Sequence, residues 1–458
     1  MKIISFTALT AALCCMNAIV GYSSTDANQW APSDSSAGLD HSETVITNMA
    51  VECESLNVAF LSTDNLFAIG KGGTLTCHGS MVFGYDLTKT HNLDATNVFA
   101  ISDGGRLFYD NAGTVNTSAS FLFGSTEVPK RRSLVSISGA ETVADFRYSG
   151  KTFFNGNTSV TISDGATVYM GRHSGLGNLT NRTSVSAEKA YETLMTISGD
   201  DTSIYLGNLS GTARFQVGAG SGKYATNHVV MNGGSIAPLV PDGTYATQLA
   251  IASQLDEQKK ISHGVFEMHG GSIDLWVTGH NDATVNGKIS IGPGNGSFLM
   301  SAGYLNCGDL QVGQNQPANY SEGKIDHTQR LHMTGGIINC RRLYLGSSNK
   351  LEAFKYQQAH VDLDGGVLQL NEMMFPSSAV AGGWAHGYFT ADGGTLRAMY
   401  KDKDILHSFD SAKLGSKGLT VDNNGFSIKL TQGFTNKEGE SGHHNSAEQS
   451  VKRADKAA

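Results

Sequence analysis

Met300-Ser301-Ala302-Gly303-Tyr304-Leu305-Asn306-Cys307 is followed one unit later by Met333-Thr334-Gly335-Gly336-Ile337-Ile338-Asn339-Cys340. Methionine, glycine turn, aliphatic and cysteine fall at matching places in both. Read outward from these two copies, the same glycine pair recurs at Gly72-Gly73, Gly104-Gly105, Gly165-Ala166, Gly233-Gly234, Gly270-Gly271, Gly365-Gly366 and Gly393-Gly394. Weaker copies stand at Gly139-Ala140 and Gly199-Asp200. Consecutive copies are between 26 residues (Gly139 to Gly165) and 37 residues (Gly233 to Gly270) apart. Most are preceded by an aliphatic or a methionine, as at Ile69, Ile101, Ile162, Ile197, Met231 and Met268.

Several units add a second short run, such as Val168-Tyr169-Met170-Gly171, Ile204-Tyr205-Leu206-Gly207 and Leu343-Tyr344-Leu345-Gly346. Alternation of period two over so few residues marks strands, and the glycines mark the bends between them. One such unit cannot bury its own apolar face. A stack of about eleven shares one continuous core. The expected class is all-β, a parallel β-helix roughly 50 Å long at about 4.8 Å per coil. A β-propeller is the competing stack, but its blades need about 40 residues and a blade signature that is missing here.

Composition agrees. Glycine accounts for 55 of 458 residues and proline for only 7, while charged residues are 16%. The chain is therefore neither collagen-like nor a charged disordered polymer, and hydrophobics at 40% can furnish a core. With 33 basic and 41 acidic residues the net charge is −8, which disfavours nucleic acid or an anionic membrane as partner.

Lys2 and the apolar run from Ile3 to Gly21 read as a secretory signal peptide cut near Ser23, with a membrane anchor as the alternative. Cys14 and Cys15 raise a lipoprotein box, which Leu13 fits poorly. The expected division is a signal peptide at 1–23, a cap at 24–50, repeats at 51–433 and a polar tail at 434–458. No transmembrane span is expected after cleavage. Four cysteines then remain. The repeat register favours the pairs Cys307–Cys340 and Cys53–Cys77 as candidate disulfides, with a buried ladder of thiols as the alternative.

Phe389-Thr390-Ala391-Asp392-Gly393-Gly394-Thr395-Leu396-Arg397-Ala398, with Gly418-Leu419-Thr420-Val421-Asp422-Asn423-Asn424-Gly425-Phe426, resembles the autotransporter-associated β-strand repeat of bacterial surface proteins. The likeness covers roughly residues 60 to 430. It implies a single-stranded, right-handed parallel β-helix (a pectin-lyase-like solenoid) exported to the outer surface of a Gram-negative-type cell. It transfers no catalytic residues. The chain departs from that family after Gly433, where polar residues such as Glu438, His443, His444 and Lys452 replace the alternating segments of a membrane barrel. Self-translocation is not expected; display by another molecule, release, or a truncated relative stay open.

Asp103, Asp164, Asp364, Asp392 and Asp422 could form a Ca²⁺ ladder, but aspartate beside glycine is also ordinary turn chemistry. His269, Asp274, His280 and Asp282 fit no compact metal spacing. Arg131-Arg132 and Arg341-Arg342, with Tyr169, Tyr205 and Tyr344, could read an acidic sugar by charge and stacking, or simply face solvent. Asp200-Asp201 lacks the Gly-His-Gly and Arg-x-Lys companions of pectin hydrolases, since Ser262 precedes His263-Gly264. The functional expectation is a non-enzymatic adhesin or stalk whose partners are glycans or host and cell-surface proteins, without metal or cofactor. A polysaccharide lyase or glycoside hydrolase is the alternative. Segments 172 to 195, 219 to 228 and 237 to 263 are the expected binding loops.

Overall fold

The computed structural model describes residues 43–53, 56–58, 66–83, 95–114, 116–124, 131–177, 191–207, 212–218, 225–239, 247–253, 263–276, 287–313, 327–346, 357–374, 386–400, 403–407, 409–436 and 451–453. The expected signal peptide with Cys14 and Cys15, most of the cap and most of the tail lie outside these residues.

Among the described residues every regular element is a strand. Thirty-five strands join in one parallel network (35-stranded), and strands pair across coils with the strand three places on. Three faces therefore repeat. First-face strands begin the coils at Glu43–Ile46, Leu66–Ile69, Ala95–Ser102, Arg131–Ser138, Asn157–Ser163, Tyr191–Ile197, Ala225–Met231, His263–Met268, Asn295–Met300, His327–Leu345, Gln357–Met374, His386–Ala391 and Ser411–Leu414. In His327–Leu345 and Gln357–Met374 the chain stays extended through all three faces. The fold is the expected parallel β-helix.

These are thirteen coils, not eleven, with Thr435–Asn436 and Val451–Arg453 starting a fourteenth on the last of them, and the thirteen span roughly 60 Å at about 4.8 Å per coil. The two additional coils carry no glycine pair. The first turns at Thr47-Asn48, with Asn48 in the left-handed region (φ 52°), and the last turns across Gly415 to Gly418. Asparagine tolerates that conformation because its short polar side chain bonds locally.

The alternation builds the core as columns. Ile46, Ile69, Ile101, Ile137, Ile162 and Ile197 stack in register, and the column continues as Met231, Met268, Met300 and Met333. All are buried. A neighbouring column stacks rings, with Phe67 on Phe99 at 5.7 Å and Phe266 on Phe298 at 5.2 Å, each nearly coplanar. Identical side chains one coil apart take the same rotamer, so a parallel register brings their faces together.

The glycine pairs form the corner between first and second faces. At Asp103-Gly104 both residues have positive φ (52° and 77°), and a Cβ on Gly105 would meet the Ile69 carbonyl oxygen at 2.3 Å. At this corner conformation selects the first glycine and contact with the coil below the second; at Gly234, Gly271, Gly336 and Gly366 it is the second glycine of the pair that has positive φ. The weak copies solve the corner differently. Thr142 and Thr202, fully buried, occupy the register position of the second glycine. Thr142 Oγ1 accepts from the Gly104 amide at 3.1 Å and Thr202 Oγ1 from the Gly165 amide at 3.1 Å.

Cys53 pairs in register with Cys77, and Cys307 with Cys340. Neither expected pair is joined at disulfide distance: all four cysteines are buried, and the Cys53 and Cys77 Sγ atoms are 3.1 Å apart. A Cα separation of about 4.8 Å across a parallel register is within the span of a disulfide, but sulfurs 3.1 Å apart are in hydrogen-bond contact and short of the roughly 2.05 Å of a covalent S–S bond. Towards the C-terminus the third face thins: between the coils beginning at Gln357 and His386 it keeps only Met373 opposite Leu406 and Met374 opposite His407.

Candidate functional site

With the core directed inward, the chemistry lies on outward rows that run along the stack. On the second face Tyr169 and Tyr205 are in register, their rings stacked with centroids 5.2 Å apart and planes 17° apart. Arg147, one coil before, lies 4.2 Å from the Tyr169 ring centre. Asp145 fixes it: Arg147 Nε donates to both carboxylate oxygens at 2.9 Å, and Nη2 sits 2.6 Å from Oδ2. The hydrogen bond to Asp145 raises the Arg147 pKa, outweighing the opposing effect of burial. The result is an aromatic and cationic strip on the outer surface, a form suited to stacking against a sugar ring.

Of the residues expected there, Tyr169 and Tyr205 come together. Tyr344 lies apart, 5.1 Å from the Arg342 guanidinium, and burial raises its pKa. Arg341 and Arg342 grip Asp309 instead of a ligand, at 3.5 Å for Arg341 and at 2.8 and 3.0 Å for Arg342. Arg131 and Arg132 head a first-face strand on another side of the coil. Arg147 escaped the sequence reading, although Asp145 two residues earlier was a usable signal.

The aspartates before the glycine pairs serve separate tasks. Asp103 and Asp164 take left-handed turn conformations. Asp364 meets His332 at 3.0 Å, Asp392 accepts from the Lys417 amide at 2.8 Å, and Asp422 holds Arg397 at 2.7 Å. Among the described residues no group of three or more His, Cys, Asp or Glu could hold a metal ion. Asp274 accepts from Asn306 Nδ2 at 2.9 Å, and Asn339 Nδ2 continues that ladder onto Asn306 at 2.9 Å. His280, Asp282, His443 and His444 lie outside the described residues, as do 178–190, 219–224, 240–246 and 254–262 of the expected binding loops.

His269 joins a different arrangement. Its Nδ1 is 2.7 Å from Ser301 Oγ and its Nε2 is 3.1 Å from Glu267 Oε2, while His228 Nε2 lies 3.1 Å from Glu267 Oε1. Serine, histidine and carboxylate in line suit nucleophilic chemistry. However, the backbone amides of Ser301 and Ala302 both point to the Met268 carbonyl, leaving neither to stabilise an oxyanion.

Outward carboxylates are matched elsewhere too. Asp362 meets Arg330 at 2.6 Å, Glu372 meets His407 at 3.5 Å and Asp410 meets His386 at 3.7 Å. At these positions charge is neutralised pair by pair. No family model, curated protein or solved structure matches the chain.

Proposed function

We propose that the chain is an exported, cell-surface β-helical rod that works without catalysis, as an adhesin or structural stalk binding glycans on its outward faces. The observation that carries this reading is the register stack of Tyr169 on Tyr205, with Arg147 over the Tyr169 ring, on the outer side of the second face. A rigid rod holds such rings in place without a ligand, so little ordering entropy remains to be lost on binding. The pairwise neutralisation of outward carboxylates supports the non-catalytic part, since glycoside hydrolysis needs two carboxyl groups with divided roles. The autotransporter-like repeat and the apolar segment after Lys2 support export.

The test is retention of the purified chain on a panel of neutral and acidic polysaccharides, with new chain ends scored in the same tubes. Retention that disappears in Tyr169→Ala and Tyr205→Ala, without cleavage, is the expected result. Cleavage of any polymer would overturn the non-enzymatic reading.

A second reading rests on Ser301, His269 and Glu267, whose contacts favour a hydrolase. It requires turnover of a simple ester that Ser301→Ala abolishes. The absence of a free oxyanion donor at Ser301 makes no turnover the expected outcome.

A further inference from the structure

We propose that the third face carries a track for an anionic polysaccharide lying along the rod axis, formed by Lys151, His173, Arg214, Gln248 and Lys288 with Arg172 beside them. This rests on the glycan-binding reading and names the class of glycan.

The register defines the track. Lys151 stands opposite His173, His173 opposite Arg214, Arg214 opposite Gln248, and Gln248 opposite Lys288. Each step is one coil, about 4.8 Å, comparable with the length of one sugar in an extended chain. Asp309, already held by Arg341 and Arg342, closes the row. The adjacent outward row is withdrawn from water, with Phe153 and Ser290 at 0% exposure and Gln216 at 4%. The cations therefore border a desolvated strip, where charge interactions are stronger than in bulk water.

What sets them apart is their alignment in one row. Among the described residues no carboxylate forms an ion pair with Lys151, Arg172, His173, Arg214 or Lys288, whereas unpaired cations such as Lys71 and Lys417 stand exposed and outside any such row. Arg172, Arg214 and Lys151 act repulsively on His173, while Asp309 attracts Lys288 at the end of the row, in a chain whose net charge is −8. Burial lowers the pKa of His173, Arg214 and Lys288, and Arg172, Arg214 and Lys151 depress His173 further. Arg172 Nε is buried without an acceptor. Gln248 holds the row in place, accepting from Arg214 Nε at 2.9 Å and donating to Ser290 Oγ at 3.0 Å. Anions spaced along a single polymer would relieve both the repulsion and the orphaned donor. A row one side chain wide matches one strand of sugars better than the two phosphate ridges of a duplex or the plane of a membrane.

The test compares the full chain with Lys151→Gln/Arg172→Gln/Arg214→Gln/Lys288→Gln and with a control, Lys71→Gln/Lys417→Gln, at exposed cations elsewhere. The probes are polygalacturonate, dextran sulfate, neutral dextran and duplex DNA. The fourfold variant should bind the two anionic polymers at least about tenfold more weakly, with a shallower salt dependence, and the control should not change. Without ligand the variant should melt higher than the parent, because repulsion has been removed; this also shows that it folds. The stronger of the carboxylated and sulfated arms identifies the anion. Unchanged affinity in the folded variant, or DNA bound as tightly as polygalacturonate, would overturn the track. Binding of neutral dextran that only Tyr169→Ala removes would sink the track and leave the glycan reading standing. Retention of no polysaccharide would sink both.

Discussion

Thr202 Oγ1 accepts the amide hydrogen of Gly165, one coil earlier, at 3.1 Å and donates to the Ser198 carbonyl at 2.7 Å. The hydroxyl is fully buried and satisfies a corner amide that a glycine pair would leave to backbone partners. Thr202→Ala should therefore cost about 1–3 kcal/mol, the usual penalty for an orphaned buried donor, and Thr202→Ser should cost less. Denaturant unfolding measures the loss. Faster hydrogen exchange at the Gly165 amide in the alanine variant would place it at this corner, and unchanged exchange there would refute the assignment.

Acid should weaken the fold through its half-buried histidines. Burial, with Arg172, Arg214 and Lys151 alongside, holds His173 below the ordinary value of 6.5. The unfolded chain then takes up the proton first, so stability is full above that value and declines as pH falls through it. His173→Gln should flatten part of the slope, with His263 and His360, also lowered by burial, supplying the remainder. If an anionic polymer occupies the third face, its affinity should rise over the same window in the parent but not in the variant. A pH series of melting and binding measurements reads both.

The thiols should be silent while the chain is folded. Burial pushes the Cys307 and Cys340 pKa upward, and Cys77 is raised by its hydrogen bond with Cys53 and then by burial. Alkylation near pH 8 should label these cysteines only after unfolding, because the thiolate is the reactive form. Under oxidation Cys53–Cys77 should close before Cys307–Cys340, since its sulfur atoms already touch. Closing that loop contributes about 3 kcal/mol on the chain-entropy model. Peptide mapping after mild oxidation decides the order.

Phe298→Ala should cost about 3–5 kcal/mol, as large-to-small core substitutions do. The ring stacks on Phe266 from the preceding coil, so the loss should appear as local opening of those two coils before the rest of the rod. Proteolysis confined to that region is the expected result; uniform loosening from end to end would contradict it.

Much of this architecture was legible. Glycine pairs and period-two runs needed only local patterns, and the shared position of Cys307 and Cys340 anticipated their register. The coils at Asn48 and at Gly415 to Gly418 were missed because neither carries the pair. The third face was harder for a physical reason. Its corner with the second face runs from the short Gly171-Arg172 link between Met170 and His173 to the longer stretch between Pro238 and Thr247. A corner of changing length breaks the phase, so Lys151, His173, Arg214 and Lys288 look unrelated along the chain and align only once the coils are stacked. Tyr169 and Tyr205 escaped that problem because both follow a corner of nearly constant length.

Because strands pair only with counterparts one coil away, the backbone hydrogen bonds run along the rod. Tension applied between its ends would load the three ladders in parallel at each boundary, and the boundaries in series. The rod should then yield where the ladders are shortest, at its C-terminal end, where the first face pairs only Lys413–Leu414 with Thr435–Asn436 and the second only Leu419–Val421 with Val451–Arg453. A tether attached beyond that boundary would part there first, leaving the preceding coils intact.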